Sequence, residues 1–324
     1  MNELLIKNGM VYSYIYEGYH AIKMQKADVY IKDGQIESVN PDIKIDCEQL
    51  DASGCLVLPG MINMGSNTFA ARITSGLLCD RRPGKGQIAP LLDLAIEMLS
   101  LEEICAVAIL GFWETIASGV TTIAEVCAPR QKALAPGMKR AAETLGVRFA
   151  EAPYDSDILV DSAVSCAHFG VPYAGFERVS AGAQLTMGTG FFDSCMISEM
   201  RATACFMKQH MQGAGAYKAS DVFYSATVVN GRILDASKYG RVGQGFFGDL
   251  SVVCMDRFAP LSYPLAQYVY GANAGDVRHV VSGGQVLKRD HKPDKRLMAP
   301  LLQAGEAGQA AIQKFWAEAR RRIL

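Results

Sequence analysis

Strand-like runs open and close this chain, while its middle alternates strand and helix, and that order limits the folds open to it. Residues 4–12 and 27–32 are rich in β-branched and large apolar side chains. Asp33-Gly34 follows as a hairpin turn, because both residues tolerate positive φ, and residues 35–39 form the return strand. A further run, 55–58, stops at Pro59-Gly60. Near the other end, 248–254 reads as a strand, and 277–281 and 285–288 form a hairpin about Gly283-Gly284. Neither set has enough strands to bury its own apolar face. The two sets are therefore expected to join, 1–57 with 248–292, as a composite β-sandwich.

The segment between them has another rhythm. Ser100 and Glu103 make a capping box, in which hydroxyl and carboxylate satisfy the free N–H groups of a helix start. Ile104, Val107, Ala108, Leu110, Thr115 and Ile116 give that helix its apolar side until Gly119. A strand at 120–126, a helix at 131–145 closed by Gly146, and a strand at 147–150 complete a βαβ unit. Such a unit implies a parallel sheet with helices outside. A strand at 183–187 and helices at 194–212 and 219–229 follow. Residues 300–324 form a charged amphipathic helix with Ile312, Phe315 and Trp316 on its apolar side. The expected divisions are 58–247 for the α/β part and 297–324 for the last helix.

A net charge of -1 gives no electrostatic footprint for nucleic acid or an anionic membrane. No apolar run approaches the roughly 20 residues of a membrane span. The N-terminal residues lack a basic segment followed by an apolar one, as a secretory signal requires. Nine cysteines, none in a C-x-x-C, sit mostly among apolar neighbours and indicate a reduced, cytoplasmic protein. The five histidines, 20, 168, 210, 279 and 291, are all more than a turn apart, which argues against a protein-built zinc site.

Four blocks resemble the aminohydrolase branch of the amidohydrolase superfamily, the group of chlorotriazine hydrolases and of guanine, cytosine and adenosylhomocysteine deaminases. They are Leu56-Val57-Leu58-Pro59-Gly60-Met61-Ile62-Asn63; Ile116-Ala117-Ser118-Gly119-Val120-Thr121-Thr122; Met187-Gly188-Thr189-Gly190 with Glu199-Met200-Arg201; and Ala226-Thr227 to Gly231 with Gly240-Arg241-Val242-Gly243 and Gly248-Asp249-Leu250. The resemblance implies a (β/α) TIM-type barrel joined to a small sandwich. It also implies a metal-activated water held by a His-x-His after the first barrel strand, a later His and a terminal Asp. This chain departs from that set. Met64-Gly65-Ser66-Asn67 stands where the His-x-His is expected, and Gly190 where the Asp is expected. Between Ala150 and Ser165 there are about fifteen residues, too few for further βα units at roughly 30 residues per βαβ. The expected fold is thus α/β, an incomplete or remodelled barrel plus the composite sandwich, with no metal and no cofactor.

The ligand-binding candidates are Asn63, Asn67, Arg81 and Thr189. Strand-end turn chemistry and a solvated basic loop are the plainer readings of the Asn pair and of Arg81. The catalytic candidates are Glu125, Cys127, His168 and Asp193. Glu125 and Cys127 end a barrel strand, where active sites form. A buried Glu125 is a general-base candidate, against a plain pairing with a cation such as Arg130. His168 and Asp193 read as structural, and Cys195 as a packed thiol. The expected function is a catalytically degenerate amidohydrolase-like protein, a pseudoenzyme or partner subunit. The alternative is an enzyme acting on C–N bonds of a small nitrogen-containing molecule by a metal-free or altered mechanism. A third possibility draws metal ligands from another subunit.

A shortened barrel exposes strand edge and apolar surface that a second molecule would cover. The expected assembly is a homodimer, or a heteromer with a full-length relative, with residues around 150–176 at or beside the contact. Light scattering at micromolar concentration should show more than the 35.1 kDa of one chain. A stable monomer without a partner would mean that no open edge needs covering.

Overall fold

The computed structural model describes residues 3–14, 22–78, 88–126, 129–152, 162–173, 175–180, 182, 185–234 and 237–323. Five strands come first: β1 (Glu3–Tyr14), β2 (Ile22–Lys32), β3 (Gln35–Asn40), β4 (Glu48–Asp51) and β5 (Cys55–Pro59). Gly60 leads into β6 (Met61–Met64), followed by α1 (Thr68–Leu78), α2 (Ile88–Met98) and α3 (Leu101–Ala117). Next come β7 (Val120–Val126), α4 (Ala135–Leu145) and β8 (Arg148–Ala152). A helical stretch holds α5 (Ala163–Phe169), α6 (Gly175–Ser180), α7 (Met196–His210), α8 (Ala219–Tyr224), a π-helical turn at Ser225–Val229 and α9 (Asn230–Ile233). The order finishes with β9 (Leu250–Cys254), α10 (Pro264–Gly271), β10 (Val277–Ser282), β11 (Gln285–Arg289), β12 (Lys292–Pro293) and α11 (Lys295–Arg322).

Strands from both ends share one nine-stranded sheet, ordered β12-β11-β10-β9-β5-β1-β2-β3, with β4 also on β1. The junction is β5 against β9, antiparallel from Cys55↔Cys254 to Pro59↔Leu250. Both hairpins turn in two residues at positive φ, Asp33-Gly34 and Gly283-Gly284. These turns meet over Gly248, whose N–H donates to Gly34 O at 2.9 Å and whose carbonyl accepts from Gly284 N at 3.1 Å. The sheet therefore rolls about an apolar filling that includes Ile6, Ile31, Val57, Val252 and Val281.

The second sheet is parallel and ordered β6-β7-β8. Helices α1 to α3 cross between β6 and β7, and α4 between β7 and β8, as the βαβ reading expects. The Ser100–Glu103 capping box is formed at both of its bonds. Gly60 carries the chain from one sheet to the other, and a Cβ there would fall 2.2 Å from Thr121 Oγ1, so only glycine allows this approach. Arg148 on β8 pairs with buried Asp249 at 3.0 Å and lies over the Phe247 ring, locking the two sheets together. The protein is α/β, and among the described residues the three parallel strands do not close a barrel.

Three of the expected elements take a different form in the structure. The strand expected at 183–187 is reduced. Residues 183 and 184 lie outside the described residues, and Met187 O accepts from Met64 N at 3.0 Å, on the free edge of β6. The Asn230 side chain completes that edge. Its Nδ2 donates to Ile62 O and Met187 O, both at 2.7 Å, and its Oδ1 accepts from Met187 N at 3.1 Å. The helix expected at 219–229 changes pitch to a π turn just before Asn230, a local irregularity that aims this side chain at β6. The last helix starts at Lys295 because Asp294 caps it, which leaves Pro300 inside. No helix among the described residues is long and apolar enough to cross a membrane.

Asn230→Ala should destabilise the protein by about 3 kcal/mol, since it strands buried backbone groups of β6 and Met187. Urea unfolding measures this. A change within a few tenths of a kcal/mol would show that the edge is held by other contacts.

Candidate functional site

In a parallel α/β sheet the chemistry gathers at the C-terminal ends of the strands. Here β6 ends in Met64 and β7 in the segment holding Glu125, with the Gly65–Asn67 turn passing between them into α1. Glu125 is 2% exposed. Ser66 Oγ donates to its Oε2 at 2.7 Å, while Thr68 Oγ1 and Phe69 N donate to Oε1 at 3.1 and 3.2 Å. The carboxyl group thus caps α1 from a neighbouring strand, answering the free N–H groups of a helix start. Its described partners are these hydroxyls and amides rather than an arginine, and the side chain of Arg130 lies outside the described residues. Burial pushes its pKa up, against the pull of Ser66, Phe69 and Thr68. In the neutral acid, a proton on Oε2 can be given to Ser66 Oγ, which lies 2.9 Å from Thr68 Oγ1, so the three groups can pass hydrogens round in a closed ring.

Asn63 and Thr189, both fully buried, are joined to this cluster. Asn63 Nδ2 donates to Thr115 Oγ1 and Thr189 Oγ1, and its Oδ1 accepts from Thr189 N at 2.9 Å. Thr189 Oγ1 in turn donates to Ser66 O at 3.2 Å. The amide of Asn63 is therefore engaged in holding β6 to the 187–190 segment. Asn67 has φ +42 just before α1, and its carbonyl accepts from Ala71 N, so it serves the turn.

A second buried carboxyl group was not among the sequence candidates. Glu199 on α7 is fully buried and receives Ser162 Oγ at 2.9 Å, Ala163 N, Val164 N at 3.3 Å and Thr203 Oγ1 at 3.4 Å. It caps α5 as Glu125 caps α1. Burial raises its pKa to about 7, against those donors and with a small further push from Asp193. Its signal was available in the sequence, because Met196, Glu199, Met200 and Thr203 fall on one face of α7.

The other candidates sit apart from this network. His168 is exposed and stacks on Phe192, with ring centroids 3.7 Å apart. Asp193 accepts from Cys195 N at 2.8 Å and shapes the entry to α7. Phe192, Asp193 and Cys195 border an open cleft of about 450 Å³ with Arg72, Trp113 and Glu114. Arg81 and Cys127 lie outside the described residues.

No protein-family model matches the chain. It is 27% identical over 125 residues to a 5'-deoxyadenosine deaminase of Methanopyrus kandleri, a match covering 36% of this chain and 28% of that protein. It is 36% identical over 124 residues to a 5-methylthioadenosine/S-adenosylhomocysteine deaminase of Desulfitobacterium hafniense, with the same coverage of 36% and 28%. The matched stretch thus spans little more than a quarter of the length of either relative. The fold is similar to an atrazine chlorohydrolase from Arthrobacter aurescens TC1 complexed with zinc and atraton, at TM-score 0.79 and 15% identity over 95% of this chain and 100% of that one. The chain is thus similar in sequence, over about a third of its length, to deaminases and, in fold, to a chlorohydrolase, the deaminase/chlorohydrolase branch of the amidohydrolase superfamily that its sequence blocks resemble. A zinc-bound adenosine deaminase from Xanthomonas campestris is similar at TM-score 0.74 and 15% identity, over 96% and 98% of the two chains.

Zinc in those structures raises the question of fit. Among the described residues, no three His, Cys, Asp or Glu side chains gather to hold a metal ion. Met64-Gly65-Ser66-Asn67, with Gly65 at φ +74 and Asn67 at φ +42, and Gly190 at φ +64 stand where the resemblance implies ligands. Glycine supplies no donor side chain, and tetrahedral zinc needs three protein ligands at least. The described residues do not fit the metal.

Glu199 sets a pH test. Its ordinary value is 4.5 and its folded value about 7, so its contribution to stability is complete below the first and lost as pH rises through the second. Unfolding free energy should fall by about 3 kcal/mol across that window relative to Glu199→Gln, which lacks the titration. Denaturant curves for both proteins measure it, and parallel pH dependences would refute the assignment.

Proposed function

We propose that this amidohydrolase-like protein acts on a C–N bond of a small nitrogen-containing molecule, of the kind its deaminase relatives are named for, without a bound metal. One observation carries this reading: Glu125 is a buried acid of raised pKa at the C-terminal end of β7, 2.7 Å from a serine hydroxyl. A carboxylic acid kept neutral by its surroundings can protonate a leaving amine or ring nitrogen. Once ionised, it can accept a proton from the attacking water. The Gly65–Asn67 turn covers it, with positive φ at both ends, and this turn has to move for substrate to enter. The three parallel strands are, in this reading, the remnant of a barrel remodelled after β8, and the second copy or full-length relative expected above covers the remainder.

A second reading, a catalytically degenerate protein or partner subunit, draws on a different observation. Asn63 and Thr189 bond each other, Thr189 Oγ1 donates to Ser66 O, and the Ser66 and Thr68 hydroxyls bond each other and Glu125. In that reading the former centre is purely structural.

Ammonia release from 5'-deoxyadenosine, methylthioadenosine and aminotriazines, by protein dialysed against a chelator, separates the two. The metal-free enzyme reading expects chelator-resistant turnover that falls about 100-fold in Glu125→Gln. Silence across the panel, with and without added zinc, favours the structural reading. Turnover that needs about one equivalent of zinc rules out the metal-free mechanism.

A further inference from the structure

The start of α5 lies against Gly190. An ideal Cβ at that position would fall 2.3 Å from Ser165 Oγ, 2.7 Å from Ser162 Cβ and 2.9 Å from Ser162 Oγ. These distances are far inside van der Waals contact, and φ +64 adds backbone strain for any side chain. Neither serine is free to retreat. Ser162 Oγ lies 2.9 Å from Glu199 Oε2 and 3.1 Å from Thr189 O, and it accepts from Ser165 N at 3.0 Å. Ser165 Oγ accepts from Phe191 N at 2.9 Å, immediately beyond Gly190. Behind both, Glu199 grips the first amides of α5 from the buried face of α7.

We infer that the start of α5, held by Glu199, occupies the place that a side chain at position 190 would take. The absence of a metal-binding group among the described residues is therefore set by packing as well as by missing donors. The inference rests on the metal-free reading above, and it deepens that reading: the loss is not one substitution away from reversal. Restoring an acid at 190, as a metal site with histidines in the 64–67 turn would need, would have to displace Ser162 and Ser165, and with them the cap on α5. The Gly65–Asn67 turn adds its own resistance, since both of its end residues have positive φ.

The experiment is a coupling measurement, read by thermal unfolding. Gly190→Ala adds only the Cβ and should lower the melting temperature by several degrees. In a Ser165→Ala background, which removes the atom at 2.3 Å, the same substitution should cost clearly less. Equal losses in both backgrounds would mean that backbone strain alone decides, and would overturn the inference. A second arm uses the Gly65→His/Asn67→His/Gly190→Asp variant, dialysed with zinc and then against buffer. It should retain well under one equivalent by elemental analysis. One equivalent with an unchanged melting temperature would overturn the inference as well. If that variant does not fold, the coupling measurement stands alone. Both arms read heat and zinc rather than C–N cleavage, so the proposed activity can fail while this inference holds.

Discussion

The outer edge of β6 presents backbone groups that, in a closed barrel, a neighbouring strand would pair. Buried peptide groups left unpaired cost on the order of a hydrogen bond each. Here the edge is answered by Met187 and by one side chain, Asn230, which reaches both Ile62 and Met187 from a π-helical turn. The position of the 187–190 segment follows from that pairing. It brings Thr189 to Asn63 and Gly190 to the start of α5. The candidate site is in this sense a consequence of how one sheet edge is closed.

Two buried glutamates then repeat a single device. Glu125 closes the start of α1 and Glu199 the start of α5, each from a different element. Both lie where desolvation favours the neutral acid, and both are surrounded by hydroxyls that can trade hydrogens with it. The same physics serves a scaffold and a proton-transfer group, and only access separates the two roles. Both are closed off in this structure, Glu125 by the Gly65–Asn67 turn and Glu199 by the start of α5, so the proposed role of Glu125 depends on movement of that turn.

Other residues show where sequence reasoning reaches and where it stops. Asp33-Gly34, the Ser100–Glu103 capping box and the apolar run of β7 were legible because turn, cap and strand chemistry act within a few residues. Helices α1 and α2 were not assigned, since their apolar faces match α3 and α11, far away in the chain. Trp316 on α11 reaches Ile73 O on α1 at 2.7 Å. Glu199 was read only as part of a family block, because its partners Ser162 and Ala163 are some 36 residues away. Asn63 and Glu125 lie near the ends of β6 and β7, and their partners come from the turn and from Thr189.

By itself the sequence determined the β–α/β–β order, the missing donors within 64–67 and at 190, and the superfamily resemblance, since each depends on residue type and short-range spacing. Only the tertiary structure decided that the two terminal β segments, which the sequence expects to join, do so as one sheet through β5 and β9, that Asn230 seals β6, and that Ser162 and Ser165 fill the space beside Gly190. Those outcomes turn on contacts between residues far apart in the chain, where burial and close approach, rather than local propensity, set the energy.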